Sequence, residues 1–245
     1  MTKDPSMYSQ VKVPFKEREV ADYERRRYRG LDQRLVHWRE VRILRKALRL
    51  IGDEAPAGFR GLALDAPCGY GRFTALLSEA GYRPVSCDLS KAMVSRARSK
   101  DPLSHIPIGI VCDIIKGLPF RDGSFPLIFS LRFFHHLHDP EERRAALGEF
   151  ARAGSGWAVI SFYRSNLLHR VQRAIRRGVL RKTTRIKMIT GQEFKAAATE
   201  AGFRVLRVFP LFRGIHGQHI ALLKKNRTQG SVQNPYGCGR RIELL

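Results

Sequence analysis

The stretch Leu62-Ala63-Leu64-Asp65-Ala66-Pro67-Cys68-Gly69-Tyr70-Gly71-Arg72-Phe73 constrains this chain more than any other. An apolar run of strand length ends in an acid, two glycines follow one residue apart, and a helical pattern begins at once. Glycine lets backbone approach a ligand where a side chain would block it, and the helix behind it turns free N–H groups toward an anion. The pattern is that of a loop holding a nucleotide-like cofactor. Two common versions fail: the dinucleotide fingerprint needs a third glycine where Thr74 stands, and the phosphate-cradling loop needs a Gly-Lys-Ser/Thr that does not follow.

Further strands ending in acids follow at regular intervals. Arg72 to Ala80 reads as a helix ended by Gly81, and Pro84 to Asp88 as a second strand, which puts Asp88 where a carboxylate can accept both hydroxyls of a ribose. Ser90 caps the next helix, in which Met93 reads as a core residue. Ile108 to Asp113 is a third strand, Pro126 to Leu131 a fourth and Trp157 to Tyr163 a fifth. Proline cannot donate to a ladder, so the fourth strand is expected to begin at Pro126. Asp139 and Pro140 open the helix between the last two, and Ala153-Gly154-Ser155-Gly156 is read as the turn that closes it. Thr190-Gly191-Gln192-Glu193 is a capping box for a helix ending at Gly202, after which Phe203 to Phe209 and His219 to Leu223 are the final strands. Before all of these, Leu35, Trp38, Val41, Leu44, Leu48 and Ile51 recur at helical steps and predict one buried stripe, ended by Gly52.

The first motif resembles the cofactor loop of the class I S-adenosylmethionine (SAM) methyltransferases. The segment Leu118-Pro119-Phe120-Arg121-Asp122-Gly123-Ser124-Phe125, an apolar strand and then Phe134-His135-His136-Leu137-His138-Asp139-Pro140 resemble the type 11 group. That group includes the ubiquinone and menaquinone C-methyltransferases and the tRNA wobble-uridine enzymes. The resemblance spans roughly residues 60–163 and departs where Pro126 replaces the usual Asp. It implies an α/β fold with a Rossmann-like seven-stranded sheet, the last strand antiparallel, and helices on both faces. It also implies SAM as cofactor, held by Asp65, Ala66, Gly69, Gly71, Asp88, Leu89, Met93, Asp113, Ile114 and Leu131. Asp113 would meet the adenine amino group.

Methyl transfer from a sulfonium needs an acceptor placed in line at about 3 Å and water kept out. A base is required only where the acceptor loses a proton, and His135, His136 and Tyr163 are the candidates at the sheet's carboxyl edge. No metal is expected: His135, His136, His138 and Asp139 are too close in sequence to converge on one ion. Cys68, Cys87 and Cys112 fall near the carboxyl ends of three neighbouring strands, and the four cysteines show no metal or disulfide spacing.

The chain's 245 residues, 43% apolar, suffice for a sizeable core, and the net charge of +23 is placed unevenly. Residues 161–245 carry 18 Lys or Arg against 3 Asp or Glu, and nine of the basic residues lie between Arg164 and Lys187 with no acid among them. Leu167, Leu168, Val171, Ala174 and Ile175 form an apolar face there, with Arg170, Arg173, Arg176 and Arg177 around it. Such a one-signed field attracts phosphate, nucleic acid or an anionic membrane surface. The organisation read from this is an N-terminal lid segment and helix (1–52), a SAM-binding domain (53–225) with a basic helical insertion (164–189), and a tail (226–245) without fixed structure. Arg170, Arg173, Arg177 and His216 are the expected substrate contacts. With no apolar run long enough to span a membrane and no secretory signal, the expected location is cytoplasmic, with peripheral contact to an anionic membrane allowed.

Three functions fit. The first is methyl transfer to an anionic small-molecule or lipid-linked acceptor, the second is transfer to tRNA or another RNA, and the third is a non-catalytic SAM-fold binding protein.

Overall fold

The computed structural model describes residues 17–27, 30–55, 61–100, 108–164, 188–214 and 216–226. Two helices, α1 (Glu17–Arg27) and α2 (Leu31–Glu54), precede the first strand. Then come β1 (Leu62–Asp65), α3 (Thr74–Glu79), β2 (Arg83–Asp88), α4 (Lys91–Arg98), β3 (Ile108–Val111) and β4 (Phe125–Ser130). A short 3-10 turn (Phe134–His136) leads to α5 (Pro140–Ala153), β5 (Gly154–Tyr163), α6 (Gly191–Glu200), β6 (Phe203–Pro210) and β7 (Gln218–Lys225).

The strands form one sheet in the order β3-β2-β1-β4-β5-β7-β6. The first five run parallel, and β7 lies antiparallel to both β5 and β6. After β3 the chain crosses to the other side of β1, so β1 and β4 are neighbours whose connections leave in opposite directions. Open α/β sheets bind ligands at such a switch point, outside the carboxyl ends of the strands.

Alternating side chains supply both faces of the sheet. On one face Leu64, Ile128, Ala158, Ile160 and Phe162 pack with Leu147 and Phe150 of α5 and Phe194 of α6. On the other Ala63, Leu127, Phe129 and Val159 pack with Ile43, Leu44, Leu48 and Ile51 of α2 and Leu77 of α3. The capping expectations hold: Ser90 accepts from the Met93 N–H, Asp139 from that of Glu141, and Thr190 and Glu193 form a reciprocal box.

Several sequence expectations are corrected. Gly52 does not end α2, which continues to Glu54. Leu35 and Trp38 are more than half exposed, and the buried face runs instead through Glu40, Ile43, Leu44, Ala47, Leu48 and Ile51. Residues 153–156 are not a turn, because α5 passes directly into β5 at Gly154. A side chain there would meet the Phe150 carbonyl at 2.8 Å and Ile128 at 2.9 Å, so only glycine permits the junction. β4 starts one residue before Pro126, and the β4–β5 register shifts between Phe125 and Leu127, which leaves the proline out of the ladder.

The link Leu118 to Phe125 has a structural explanation. Glu149 of α5 is buried and accepts from the Leu118 N–H at 2.7 Å and from Arg152 Nη2 at 2.8 Å. Arg152 also donates to the carbonyls of Leu118 and Phe120 and to the Asp122 carboxylate, each at 2.7–2.8 Å. These partners, Glu149 first, hold the guanidinium's pKa above its ordinary value. The clasp fixes the path into β4, and with it the switch point. Glu149→Ala, which leaves the Leu118 amide without its acceptor and removes one of the two carboxylates that Arg152 holds, is expected to cost about 2 kcal/mol in urea unfolding. Arg152→Lys keeps the charge but not the fork and is expected to recover only part of the lost midpoint.

Candidate cofactor and acceptor site

β1 delivers Asp65, buried, to the carboxyl edge, and the loop beyond it returns on two glycines with positive φ, Gly69 at +53° and Gly71 at +76°. At Gly71 a side chain would lie 2.5 Å from the Ala97 backbone, so the loop is pressed against α4. At Gly69 an added Cβ would meet nothing within 4 Å; there the φ angle, not space, requires glycine.

Asp88, at the end of β2, is fixed by two backbone donors: Gly69 N–H to Oδ2 and Ser90 N–H to Oδ1, each at 3.0 Å. Burial pushes its carboxyl up, opposed by N–H donors of Ser90, Gly69 and Leu89. Asp65 is pushed well up, first by burial and then by the charge of Asp88. Two acids drawn together in a buried corner, their pKa values raised, suit a ligand that brings a positive charge and hydroxyl donors.

Asp113 follows β3 and accepts from the Ile115 N–H at 3.1 Å; Leu89 is half-buried, and Ala66, Ile114 and Leu131 are buried. Met93 is buried against Tyr70 and Val20 of α1. That helix is tied down by Glu24, which accepts from Arg96 at 2.9 Å and also pairs with Lys100. Cys68 and Cys87 are buried and Cys112 half-buried. Burial pushes the Cys68 thiol well up, and a hydrogen bond with Cys112, then burial, does the same for Cys87, so these remain unreactive thiols.

The 3-10 turn after β4 brings the buried His135 ring to 4.8 Å from the Tyr163 ring, with exposed His136 at 3.9 Å from His135. Tyr163 ends β5, its hydroxyl 3.4 Å from Gln218 Oε1, and His216 lies 6.0 Å from it. His135, His136, Tyr163 and His216 therefore share one corner. Arg170, Arg173 and Arg177 lie outside the described residues, but the ends of the basic insertion do not. Arg164 pairs with Ile189 in a parallel bridge, and the Ile189 N–H donates to the Tyr163 carbonyl at 2.9 Å, so the segment leaves and returns beside Tyr163. Among the described residues no group of three or more His, Cys, Asp or Glu could hold a metal ion, and no helix is long and apolar enough to cross a membrane.

Sequence reasoning missed the group that joins the two halves. Glu40 of α2, fully buried, accepts from Arg132 Nε at 3.0 Å and Nη2 at 2.9 Å, from Gln218 Nε2 at 2.7 Å, and from Arg72. Arg72 follows the glycine loop and also donates to His37 Nδ1. Arg132 follows β4 with φ +57°, a left-handed conformation unusual for arginine, and its N–H donates to Ser161 at 2.6 Å. Burial alone would raise the Glu40 carboxyl, but the guanidiniums of Arg132 and Arg72 and the Gln218 amide hold it below its ordinary value. The sequence signal was available: Glu40 lies four residues before Leu44 on the buried line of the helix.

A depressed carboxylate contributes stability that is present above its unfolded pKa and lost as pH falls through the folded value. Glu40→Ala is expected to cost about 3–5 kcal/mol, because two buried cations lose their partner. Glu40→Gln should lose less, and its stability should fall less steeply on the acid side, as followed by denaturant unfolding at several pH values.

Residues 64–156 match the family model described as "Methyltransferase domain". The chain is 34% identical over 86 residues to the mouse protein named 18S rRNA (guanine-N(7))-methyltransferase, covering 35% of this chain and 29% of that one. It is 33% identical over 91 residues to the human protein named probable tRNA methyltransferase 9B, covering 37% and 18%. The chain thus spans less than a third of the length of either relative. In fold it is similar to the magnesium protoporphyrin IX methyltransferase of Synechocystis PCC 6803 crystallised with S-adenosylhomocysteine. That likeness has a TM-score of 0.68 at 18% identity, over 84% of this chain and 94% of that one. The same enzyme crystallised with SAM gives a TM-score of 0.64 at 14% identity, over 92% and 99%.

Proposed function

We propose that this chain, which carries a class I SAM-dependent methyltransferase domain, transfers the methyl group of SAM to an anionic acceptor at the carboxyl edge of β4 and β5. The observation that carries the reading is the buried acid pair at the glycine loop, Asp88 oriented by two backbone donors and Asp65 drawn up beside it. Bound SAM supplies an already activated methyl on a sulfonium, so the residues have only to orient, exclude water and manage protons.

In this reading Asp88 accepts the ribose hydroxyls, Asp65 holds the amino-acid end where the loop of Gly69 and Gly71 turns beside it, and Asp113 meets the adenine amino group. Leu89, Met93, Ile114 and Leu131 form the apolar walls. Helix α1 acts as the lid of the 1–52 segment, placing Val20 on Tyr70 and Met93. The domain proper is 53–225, and the 164–189 insertion, entering beside Tyr163, covers the acceptor. His135, with Tyr163 in contact, takes a proton where the acceptor must lose one, and His136 and His216 flank it.

RNA is the acceptor class favoured here, on the names of the relatives matched over 91 and 86 residues and on the basic charge. An anionic small-molecule or lipid-linked acceptor is the second reading, supported by the pocket-like grouping of His135, Tyr163 and His216 at the mouth of the insertion. Labelled methyl from SAM, added with the protein to a cell extract and then fractionated, separates them. Label in RNA is the expected outcome, and label in the organic-soluble fraction would install the second reading. No label despite SAM binding would leave a non-catalytic protein.

The acid pair has its own signature. A cationic ligand favours ionised Asp65, so SAM affinity is expected to rise as pH increases through the raised pKa, with protons released on binding. Calorimetry in buffers of differing ionisation heat checks this. Asp88→Asn should weaken SAM binding by about tenfold or more while leaving the fold intact.

A further inference from the structure

Helix α2 presents its inner face to the core and a different kind of line to solvent. Leu31, Leu35, Trp38, Arg42, Arg45 and Arg49 follow one another at steps of four and three residues, so they fall on one azimuth of the helix. All six are exposed; Leu31 is 82%, Leu35 53% and Trp38 54% accessible, the largest exposed apolar side chains on this helix. The line is apolar and aromatic over its first half and cationic over its second, with exposed Arg34 and Lys46 beside it. Its length is about 27 Å. The Arg42 guanidinium carbon already lies 5.4 Å from the Trp38 ring. The acids nearby are Asp32 at the start of the helix, Glu79, which pairs with Arg45 at 3.3 Å, and Asp53 and Glu54 at the far end, Glu54 paired with Lys224 at 3.2 Å.

We propose that this outer line of α2 is a docking surface for single-stranded RNA. The chemistry of such a strand is a row of phosphates carrying bases that stack, and proteins hold it with a cationic track and exposed aromatic rings. Here Trp38 offers a ring for a base and Arg42 a cation beside it, while Arg45, Lys46 and Arg49 continue as the phosphate track. An anionic lipid surface fits less well. An interfacial helix buries an apolar stripe along its whole length with cations on the flanks, whereas here apolar and cationic residues succeed each other on the same line. The apolar face of the helix is already spent on Ile43, Leu44, Leu48 and Ile51 in the core. The inference rests on the methyl-transfer reading only for the purpose of the bound strand; binding itself is measured without turnover.

The chain has two tryptophans, Trp38 exposed and Trp157 buried, so intrinsic fluorescence reports on the surface. The full chain is titrated with a single-stranded RNA of about ten nucleotides, and separately with vesicles of phosphatidylserine and phosphatidylcholine. RNA is expected to quench a signal that Trp38→Phe removes. Trp38→Ala should bind about tenfold more weakly, while Trp38→Phe, which keeps a ring, retains most of the affinity. Arg42→Ala and Arg49→Ala should each lower the slope of log affinity against log salt by about 0.7. Unchanged affinity in Trp38→Ala would overturn the proposal, and so would a blue shift with vesicles in place of quenching by RNA. SAM affinity and label transfer, measured on the same variants, separate a failed docking surface from a failed methyltransferase reading.

Discussion

The arrangement depends on one buried carboxylate. Glu40 binds the guanidiniums of Arg72 and Arg132 and the amide of Gln218, groups carried by the loop after β1, the loop after β4 and the start of β7. None of these segments is long enough to hold itself at the edge of the sheet, and each places a cation or amide where burial without a partner is costly. The helix that carries Glu40 is therefore more than a cover for the sheet. It sets the position of the glycine loop relative to the corner of His135 and Tyr163, and Arg132, at φ +57°, stays in an uncommon backbone conformation because Glu40 holds its guanidinium and Ser161 its N–H.

A second constraint acts further from the site. The Glu149–Arg152 clasp gathers the carbonyls and amide of 118–120 and the Asp122 carboxylate, so the entry of β4 is held by hydrogen bonds as well as by the packing of Leu118, Phe120 and Phe125 in the core. The two polar clusters bracket β4, one at its entrance and one at its exit. The strand between them is apolar on both faces and tolerates a proline only because the register steps over it.

Much of the fold was legible because the signals were local. Strand-length apolar runs, acids at strand ends, Ser90, Asp139 and Thr190 as caps, and glycines at positive φ all follow from short-range chemistry, and the sheet order followed from the family resemblance. The failures came from geometry over a longer range. Leu35, Trp38, Val41 and Leu44 follow one another in steps of three, each about 60° short of a full turn, so by Leu44 the run has crossed to the other side of α2 and leaves Leu35 and Trp38 on the solvent line with Arg42 and Arg45. Gly154 read as a turn residue because glycine usually is one; its role is to let a strand leave a helix against Phe150 and Ile128. At the site, the acids and glycines were found from their spacing, whereas Glu40, Arg72 and Arg132 belong to three separate segments with no shared motif.

The bridge between Arg164 and Ile189 bears on how such a protein changes over time. The two residues are held side by side by the backbone of the sheet edge, with Arg164 N–H bonded to the Gly217 carbonyl at 2.7 Å and Ile189 N–H to Tyr163. Whatever chain connects them begins and ends at one fixed doorway, and the entropy of closing it grows only slowly with length. Residues can be gained, lost or exchanged there without moving β5 or α6. The corner that holds Tyr163 is thus free to change while the corner that holds Asp65 and Asp88 stays as it is.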